Sequence, residues 1–484
     1  MAYLSRRALL RGMARMGAAA LLGAAASACR ARVVQVEVEK LVTVDRPVTK
    51  IVTEVVRETV VVQEPPRVIE RIVTPSPAPT TPVALRADVL DYGWTRLAQQ
   101  MTSVFQETFP HITVEWRSLS DWRDYPDRVA ILRASGQLGD LIESPSRTLT
   151  AAWAKDDVIS DLTPIIEADG YDTGGLFPGA LAAYRWRDRQ VGLPHVAHGG
   201  EHVLLYDQDL FDQVGVAYPD ARTTLADLTS AAEQIAATHR DLYGHTITAS
   251  LPGSYPLLRA FGGELLEQDG SRCLVDEAGG RAFLHWLHEQ VREIGAAPSP
   301  AEVERGAVAM WQAGRVAILR TSLRQAVALM DLQPERRIGV LPLPAMPDIE
   351  IAPALSAGVG YCVPATSRRA VEALQWIKFM LTREIGVRMF VEGYAEPGSR
   401  MATWQDPRVL DRFAHCAQLA EVVAQAERER VPANLATEPC YRLWGEYVAR
   451  MLAGELSAEG AAGRIAAEID ALIGAPEAPP ENGS

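Results

Sequence analysis

Residues 191–210, VGLPHVAHGGEHVLLYDQDL, carry the reading that decides the fold. Val203, Leu204, Leu205 and Tyr206 make a short apolar run of strand length, and Pro194, Gly199 and Gly200 ahead of it supply turn chemistry. Asp207 and Asp209 then open an amphipathic helix. Strand, bend, strand and helix follow one another without a loop long enough to form a body of its own, so the stretch reads as a crossing between two folded parts.

Upstream of the crossing, the folded body starts near Leu85. Val89 and Leu90 begin a strand, residues 91–95 (DYGWT) form the loop after it, and residues 97–109 form a helix with Leu97, Met101, Val104 and Phe105 on one face. Residues 112–116 (ITVEW) are the next strand. The same order repeats through Leu141-Ile142 and on to residues 191–194, which predicts a parallel sheet covered by helices. Ligands of such sheets sit at the carboxyl ends of strands, which places the loop holding Tyr92 and Trp94 on the ligand side.

Downstream, LLYDQDLFDQVGV closely resembles the "YNKDLFEKAGI" segment of extracytoplasmic solute-binding proteins of family 1, the maltose-binding-protein-like components of ABC transporters. Further blocks carry the resemblance in the family's order across residues 85–473. WAKDDVISDLTPIIEADG is similar to "aW…G…dLtp", and TTLADLTSAAEQIA to "TWdELlaaAkkla" with Leu225 where tryptophan is usual. Phe261-Gly262-Gly263-Glu264, residues 311–318 (WQAGRVAI), residues 337–344 (RIGVLPLP) and the block beginning GVGYCVPATSRRAVEALQW follow in register, the last with a helix opening near Arg369.

The resemblance implies an α/β protein of the periplasmic-binding-protein type II fold, two α/β lobes with a hinge and a ligand cleft between them. It places the first lobe at residues 84–196 and 353–397, the second at 197–352 and 398–474, and a disordered tail at 475–484. Interleaved lobes joined by two or three crossings bend at the hinge without breaking either core.

Residues 1–29 carry Arg6, Arg7, Arg11 and Arg15, an apolar run from Met16 to Ala28 and small residues before Cys29. That is a secretory signal peptide, too short to span a bilayer. Residues 5–11 (SRRALLR) look like a twin-arginine export signal, and Ala26-Ser27-Ala28-Cys29 resembles a lipobox lacking its usual leucine, so Cys29 is expected to be lipidated and to hold the protein on the membrane, facing the periplasm or cell exterior. Residues 30–83 read as a stalk. The stretch from Val33 to Thr74 has no glycine and no aromatic residue, and its length reaches on the order of 160 Å when fully extended.

The chain has 484 residues, 48% hydrophobic and 23% charged, enough for two cores. Its formal net charge of −13 argues against a nucleic-acid partner. No G-x-S-x-G elbow, phosphate loop or H-E-x-x-H pair is present, so the chain reads as a binding protein and not an enzyme, with no cofactor. The resemblance implies a monomer that captures a mono- or oligosaccharide and delivers it to the transmembrane subunits of an ABC permease. The alternatives are a binder of a sugar phosphate, polyamine or peptide, a ligand sensor docking on a receptor, and a secreted glycosidase with two carboxylates across its cleft.

Sugars offer C–H faces to aromatic rings and hydroxyl rims to polar side chains. Tyr92, Trp94, Tyr255, Tyr361, Tyr441 and Trp444 are the aromatic candidates, with His198 and Glu201 as hinge contacts. Tyr441 falls where maltose-binding relatives place a stacking tryptophan, counting back from Gly454. Two departures from the family bear on the ligand. Residues 320–324 (RTSLR) replace "GpWaw", and residues 143–147 (ESPSR) lack the Trp and Asp common in maltodextrin binders. Ser144, Arg147 and Arg324 at these places disfavour long neutral maltodextrins, and two arginines in one cleft favour an acidic or phosphorylated ligand.

His195, His198, Glu201 and His202 fit no standard metal spacing, and His285 and His288 lie three apart on a solvated helix face, so no metal is expected. With Cys29 spent on lipid, four cysteines remain in an oxidising compartment, and Cys416 with Cys440 is the first pair to consider for a disulfide.

Overall fold

The structure, a computed structural model, describes residues 36–40, 54–58, 81–119, 124–197, 202–300, 302–303, 306–350, 355–356, 358–394 and 396–474. The export segment with Cys29, most of the valine-rich stretch, His198, Glu201 and the tail from residue 475 lie outside the described residues. The chain divides into two units, Met1–Ala78 and Pro79–Ser484.

In the first unit β1 (Val36–Lys40) and β2 (Glu54–Glu58) pair antiparallel, with Val36 opposite Glu58 and Lys40 opposite Glu54. VEVEK and EVVRE have the residue types of strands, and Pro47, which has no N–H for a ladder, falls between them in sequence. Paired strands of this kind reach less far than the same residues would fully extended.

The second unit opens with β3 (Val83–Val89), α1 (Gly93–Thr108), β4 (Ile112–Ser118), α2 (Tyr125–Ala134) and β5 (Leu141–Ser144). β3 starts at Val83 and ends at Val89, so Val89 closes the strand it was expected to open; its parallel register with β4 runs from Val83 opposite Ile112 to Val89 opposite Ser118. In α1, Leu97, Met101 and Phe105 are buried at a spacing of four, while Val104 is 39% exposed and lies off that face. α3 (Arg147–Lys155), α4 (Thr163–Asp169), α5 (Pro178–Ala183), β6 (Arg185–Trp186), β7 (Arg189–Gln190) and β8 (Leu193–Pro194) complete the first passage through this lobe.

Past the crossing come β9 (Val203–Asp207) and α6 (Gln208–Val214). All five β9 residues are buried, as expected of an apolar run in a sheet covered on both faces. Asp207 caps α6, its Oδ1 accepting from the N–H groups of Asp209 (3.0 Å) and Leu210 (3.2 Å), and Gly215 stops the helix at φ 73°. α7 (Leu225–Ala236) starts on a reciprocal cap between Thr224 and Asp227. β10 (Tyr243–His245), α8 (Leu251–Ala260), α9 (Ala278–His288), α10 (Ala307–Gln312), β11 (Val316–Thr321), α11 (Leu323–Leu332) and β12 (Ile338–Pro342) follow. The chain then returns through β13 (Leu355–Ser356) and β14 (Gly360–Cys362) to α12 (Ala370–Met380) and α13 (Arg383–Val391). α14 (Met401–Trp404), α15 (Pro407–Arg412), α16 (Cys416–Ala424), β15 (Glu427–Arg428), α17 (Thr437–Leu452) and α18 (Ala458–Gly474) close it.

Two sheets organise these elements, ordered β4-β3-β5-β14-β8 and β10-β11-β9-β12. β3 is parallel to β4 and β5, but β14 runs antiparallel to both β5 and β8, so the first sheet is mixed and not parallel throughout. β9 is likewise antiparallel to its neighbours β11 and β12. Each of these two strands is the one that a crossing delivers from the other lobe, which is why it enters against the local direction. β13 and β15 pair with each other, tying the second crossing to the third.

Leu85, Trp94, Phe105 and Trp376 belong to the first lobe's core, and Phe283, Trp444, Val448 and Ile465 to the second's. A third cluster joins Phe177 and Phe390 to Val203, Leu205, Trp404 and Cys416, so α14 to α16 cover the junction. The four described cysteines, Cys273, Cys362, Cys416 and Cys440, are free and buried. Cys416 and Cys440 form no disulfide because they lie in different cores.

Candidate functional site

At the inner edge of the first lobe, β5, the first crossing and β14 bring together Glu143, His195 and Tyr361, each 0–1% exposed. Trp94 stacks on the His195 ring at 4.2 Å and donates from Nε1 to the Tyr361 hydroxyl at 2.6 Å. His195 Nε2 lies 3.1 Å from Glu143 Oε1, and Glu143 Oε2 accepts from the Leu90 N–H at 2.8 Å. Burial lowers the His195 pKa, with Glu143 pulling it up, and burial followed by the charge of Glu143 raises the Tyr92 hydroxyl well above its usual range. Tyr184 Oη sits 2.6 Å from the Ser144 carbonyl and 2.8 Å from that of Gly358. This cluster pins both crossings to the first sheet.

The cleft itself lies between the lobes, with a volume of about 700 Å³. Arg147, α5 and the turn between β6 and β7 form one wall; Gln268, Asp269 and residues 426–435 form the other. Ser146 caps α3 by accepting from the Leu149 N–H at 3.2 Å, which fixes Arg147 as the first residue of the helix and turns it toward the opposite wall. Arg147 is 6% exposed, and burial, with Arg428 adding to it, lowers its pKa to about 10 against Glu429. Glu429 is 9% exposed, and burial pushes its carboxyl up to about 7 while Arg147 pulls it down. The Tyr441 hydroxyl donates to Glu429 Oε1. Behind this wall, Arg259 pairs with Glu264 and stands 3.5 Å from Glu427, Arg430 donates to the Leu266 carbonyl at 3.0 Å, and Tyr255 donates to Glu264 Oε2 at 2.9 Å. Across the cleft, Thr148 Oγ1 donates to Thr437 Oγ1 at 3.1 Å.

Of the residues singled out in the sequence, Arg147 lines the cleft and Tyr441 reaches it through Glu429. Tyr92 and Trp94 are at the expected edge but turn inward: Trp94 is 1% exposed, because the aromatic ring does more for the core under the hinge than for the rim. Ser144 is fully buried, its Oγ 2.8 Å from Thr150 Oγ1. Tyr361 is core, Tyr255 belongs to the charged network behind the wall, and Trp444 stacks on Phe283 at 6.2 Å inside the second lobe. Arg324 is exposed on α11, since the Ser322 cap starts that helix and leaves its second residue facing solvent; Arg320, at the end of β11, is the buried one. His285 pairs with Glu459 on the surface, and His195 and His202 are separately buried. Among the described residues no three His, Cys, Asp or Glu side chains are grouped as metal ligands.

Trp186, Arg187, Arg428 and Glu429 line the cleft without having been singled out. The run RWRDRQ did contain a signal, a tryptophan among charged residues, and the structure leaves Trp186 half-buried, one side packed on the core and bordering the cleft. Nothing local marks Glu429 as a buried carboxyl beside the cleft.

The family model for bacterial extracellular solute-binding proteins matches residues 87–386. The chain belongs to this family. Solved structures similar to this solute-binding protein include an ABC substrate-binding protein from Listeria monocytogenes in complex with cycloalternan, at 20% identity over 81% of this chain and 99% of that one, TM-score 0.67. The sugar-binding protein MalE from Xanthomonas citri is similar at 17% identity, covering 81% and 97%, TM-score 0.69. The cyclic alpha-maltosyl-1,6-maltose binding protein from Arthrobacter globiformis stands at 16% identity, 81% and 99%, TM-score 0.68. At such identities the likeness of this solute-binding protein to them is one of fold.

Proposed function

We propose that this solute-binding protein captures a mono- or disaccharide by closing its two lobes and delivers it to the transmembrane subunits of an ABC permease. The observation that carries the reading is the interlobe cleft of about 700 Å³, walled by both lobes and joined at the back by three crossings. That volume suits a ligand of one or two sugar rings. Trp186, half-buried at the rim, offers an aromatic face for C–H stacking, and Arg147, Glu429 and Gln268 offer donors and acceptors for hydroxyls. The solved relatives named above bind cycloalternan and sugars, which supports the same ligand class here. Closure that buries the ligand also presents both lobes to a permease in one arrangement, coupling capture to docking.

The export segment and Cys29 complete the proposal: the protein is a lipid-anchored monomer facing outward, its lobes bounded as the sequence predicts. A thermal-shift screen against pyranoses, disaccharides, sugar acids and sugar phosphates tests the function. A ligand at 100 times its Kd adds about 2.7 kcal/mol of stability, a rise in Tm of a few degrees. No rise with any of them overturns the reading.

A further inference from the structure

We infer that the sugar taken by this cleft carries an acidic group, a carboxylate or phosphate, received by Arg147. The inference rests on the carbohydrate reading above and names the ligand class within it. Arg147 is 6% exposed and borders the cleft, yet its Nε and Nη1 atoms are buried without a hydrogen-bond partner. A guanidinium has five N–H donors and no acceptor, and leaving it buried and unpaired is among the costlier arrangements a protein adopts. Sugar hydroxyls can fill its donor positions, but only an anion also offsets its buried charge.

The surroundings narrow the partner to an anion. Among the described residues Glu429, whose charge acts on Arg147, makes no ion pair with it and instead accepts the Tyr441 hydroxyl. Burial raises its pKa to about 7, so at neutral pH it repels an incoming anion only in part. Glu427 is already engaged, 3.5 Å from Arg259 and 3.9 Å from Arg430. Arg428 and Arg187 add two exposed cations at the same cleft, and among the described residues neither has a carboxylate partner. The planar fork of Arg147 matches the two oxygens of a carboxylate or two of a phosphate, while Arg428 and Arg187 draw the anion in from solution. Arg324, on the far side of Ser322 and exposed, has no part in this.

Calorimetric titration of the purified full chain with matched pairs separates the possibilities: glucose against glucuronate, galactose against galacturonate, and glucose against glucose 6-phosphate. The acid or phosphate of at least one pair is expected to bind about tenfold or more tightly than its neutral partner, the better of the two anions telling carboxylate from phosphate. Arg147→Gln is expected to erase that preference and Arg147→Lys to keep part of it, with circular dichroism and unliganded Tm confirming that both variants fold. Equal or tighter binding of the neutral sugars, or a preference unchanged in Arg147→Gln, overturns this inference and leaves carbohydrate capture standing. Failure of every sugar, neutral and acidic, to bind overturns both.

Discussion

At the scale of single residues, position relative to the cleft separates side chains that look alike in the sequence. Arg324→Ala removes an exposed guanidinium from α11 and should leave sugar affinity within about twofold of wild type, the range of an ordinary surface change; a tenfold loss by calorimetry would return that residue to the site. Glu429 is the residue whose behaviour depends on pH. Its folded pKa of about 7 stands above the ordinary value near 4.5, so its neutral form is favoured by folding. The stability it contributes is fully present below about pH 4.5 and is lost as pH rises through about 7. Charged Arg147 and the Tyr441 hydroxyl face the same carboxyl and soften that loss without abolishing it. Glu429→Gln keeps the acceptor for Tyr441 and cannot ionise. Its Tm should match wild type at pH 4.5 and exceed it at pH 8, and coincident melting curves across that range would show that Glu429 ionises freely.

At the scale of elements, local rules explain starts and stops, and packing explains which face is used. α6 begins where Asp207 accepts two backbone N–H groups, and the same carboxylate holds Arg336 at 2.7 Å with both side chains about 10% exposed. Asp207→Ala therefore removes a cap and the carboxylate partner of the half-buried Arg336, which keeps only the Trp311 carbonyl and Gln333 as acceptors among the described residues, for an expected loss of about 1–3 kcal/mol in urea unfolding. A loss under about 0.5 kcal/mol would mean that water replaces both contacts. Trp444 is among the aromatic candidates for stacking on a sugar. α17 instead turns it into the second core, so Trp444→Ala should cost about 3–5 kcal/mol through the cavity it leaves. A variant of normal stability with weakened sugar binding would reverse that assignment. In β12, Gly339 lies opposite Tyr206 of β9, and a Cβ there would run into the tyrosine ring; the glycine of the RIGVLPLP block is required by this close approach between strand and ring.

At the scale of the whole molecule, two cores are joined by a shared cluster under α14 to α16 and by the crossings between the two sheets, and the proposed capture requires the lobes to part and close about them. Thr148 and Thr437 touch across the cleft through their hydroxyls, 3.1 Å apart, close enough for a cross-link to take their place. A Thr148→Cys, Thr437→Cys variant, oxidised, should slow exchange of bound sugar about tenfold or more by stopped-flow fluorescence, with reductant restoring it; an unchanged rate would mean that ligand enters without the lobes parting. The sequence by itself determined the family, the crossing at residues 191–210, the start of α6 at Asp207 and the alternation of strands and helices, because each rests on neighbours in the chain: a side-chain acceptor two or three residues from its N–H, a glycine at a stop, an apolar run of strand length. Only the tertiary structure decided that β14 enters the first sheet antiparallel, that Trp94 and Tyr361 serve the hinge and not the rim, that Arg147 and not Arg324 faces the cleft, and that Glu429 is buried beside it. Those outcomes depend on contacts between segments up to about 280 residues apart, 429 minus 147 being 282, and no local pattern encodes which of two exposed-looking arginines a distant loop will cover.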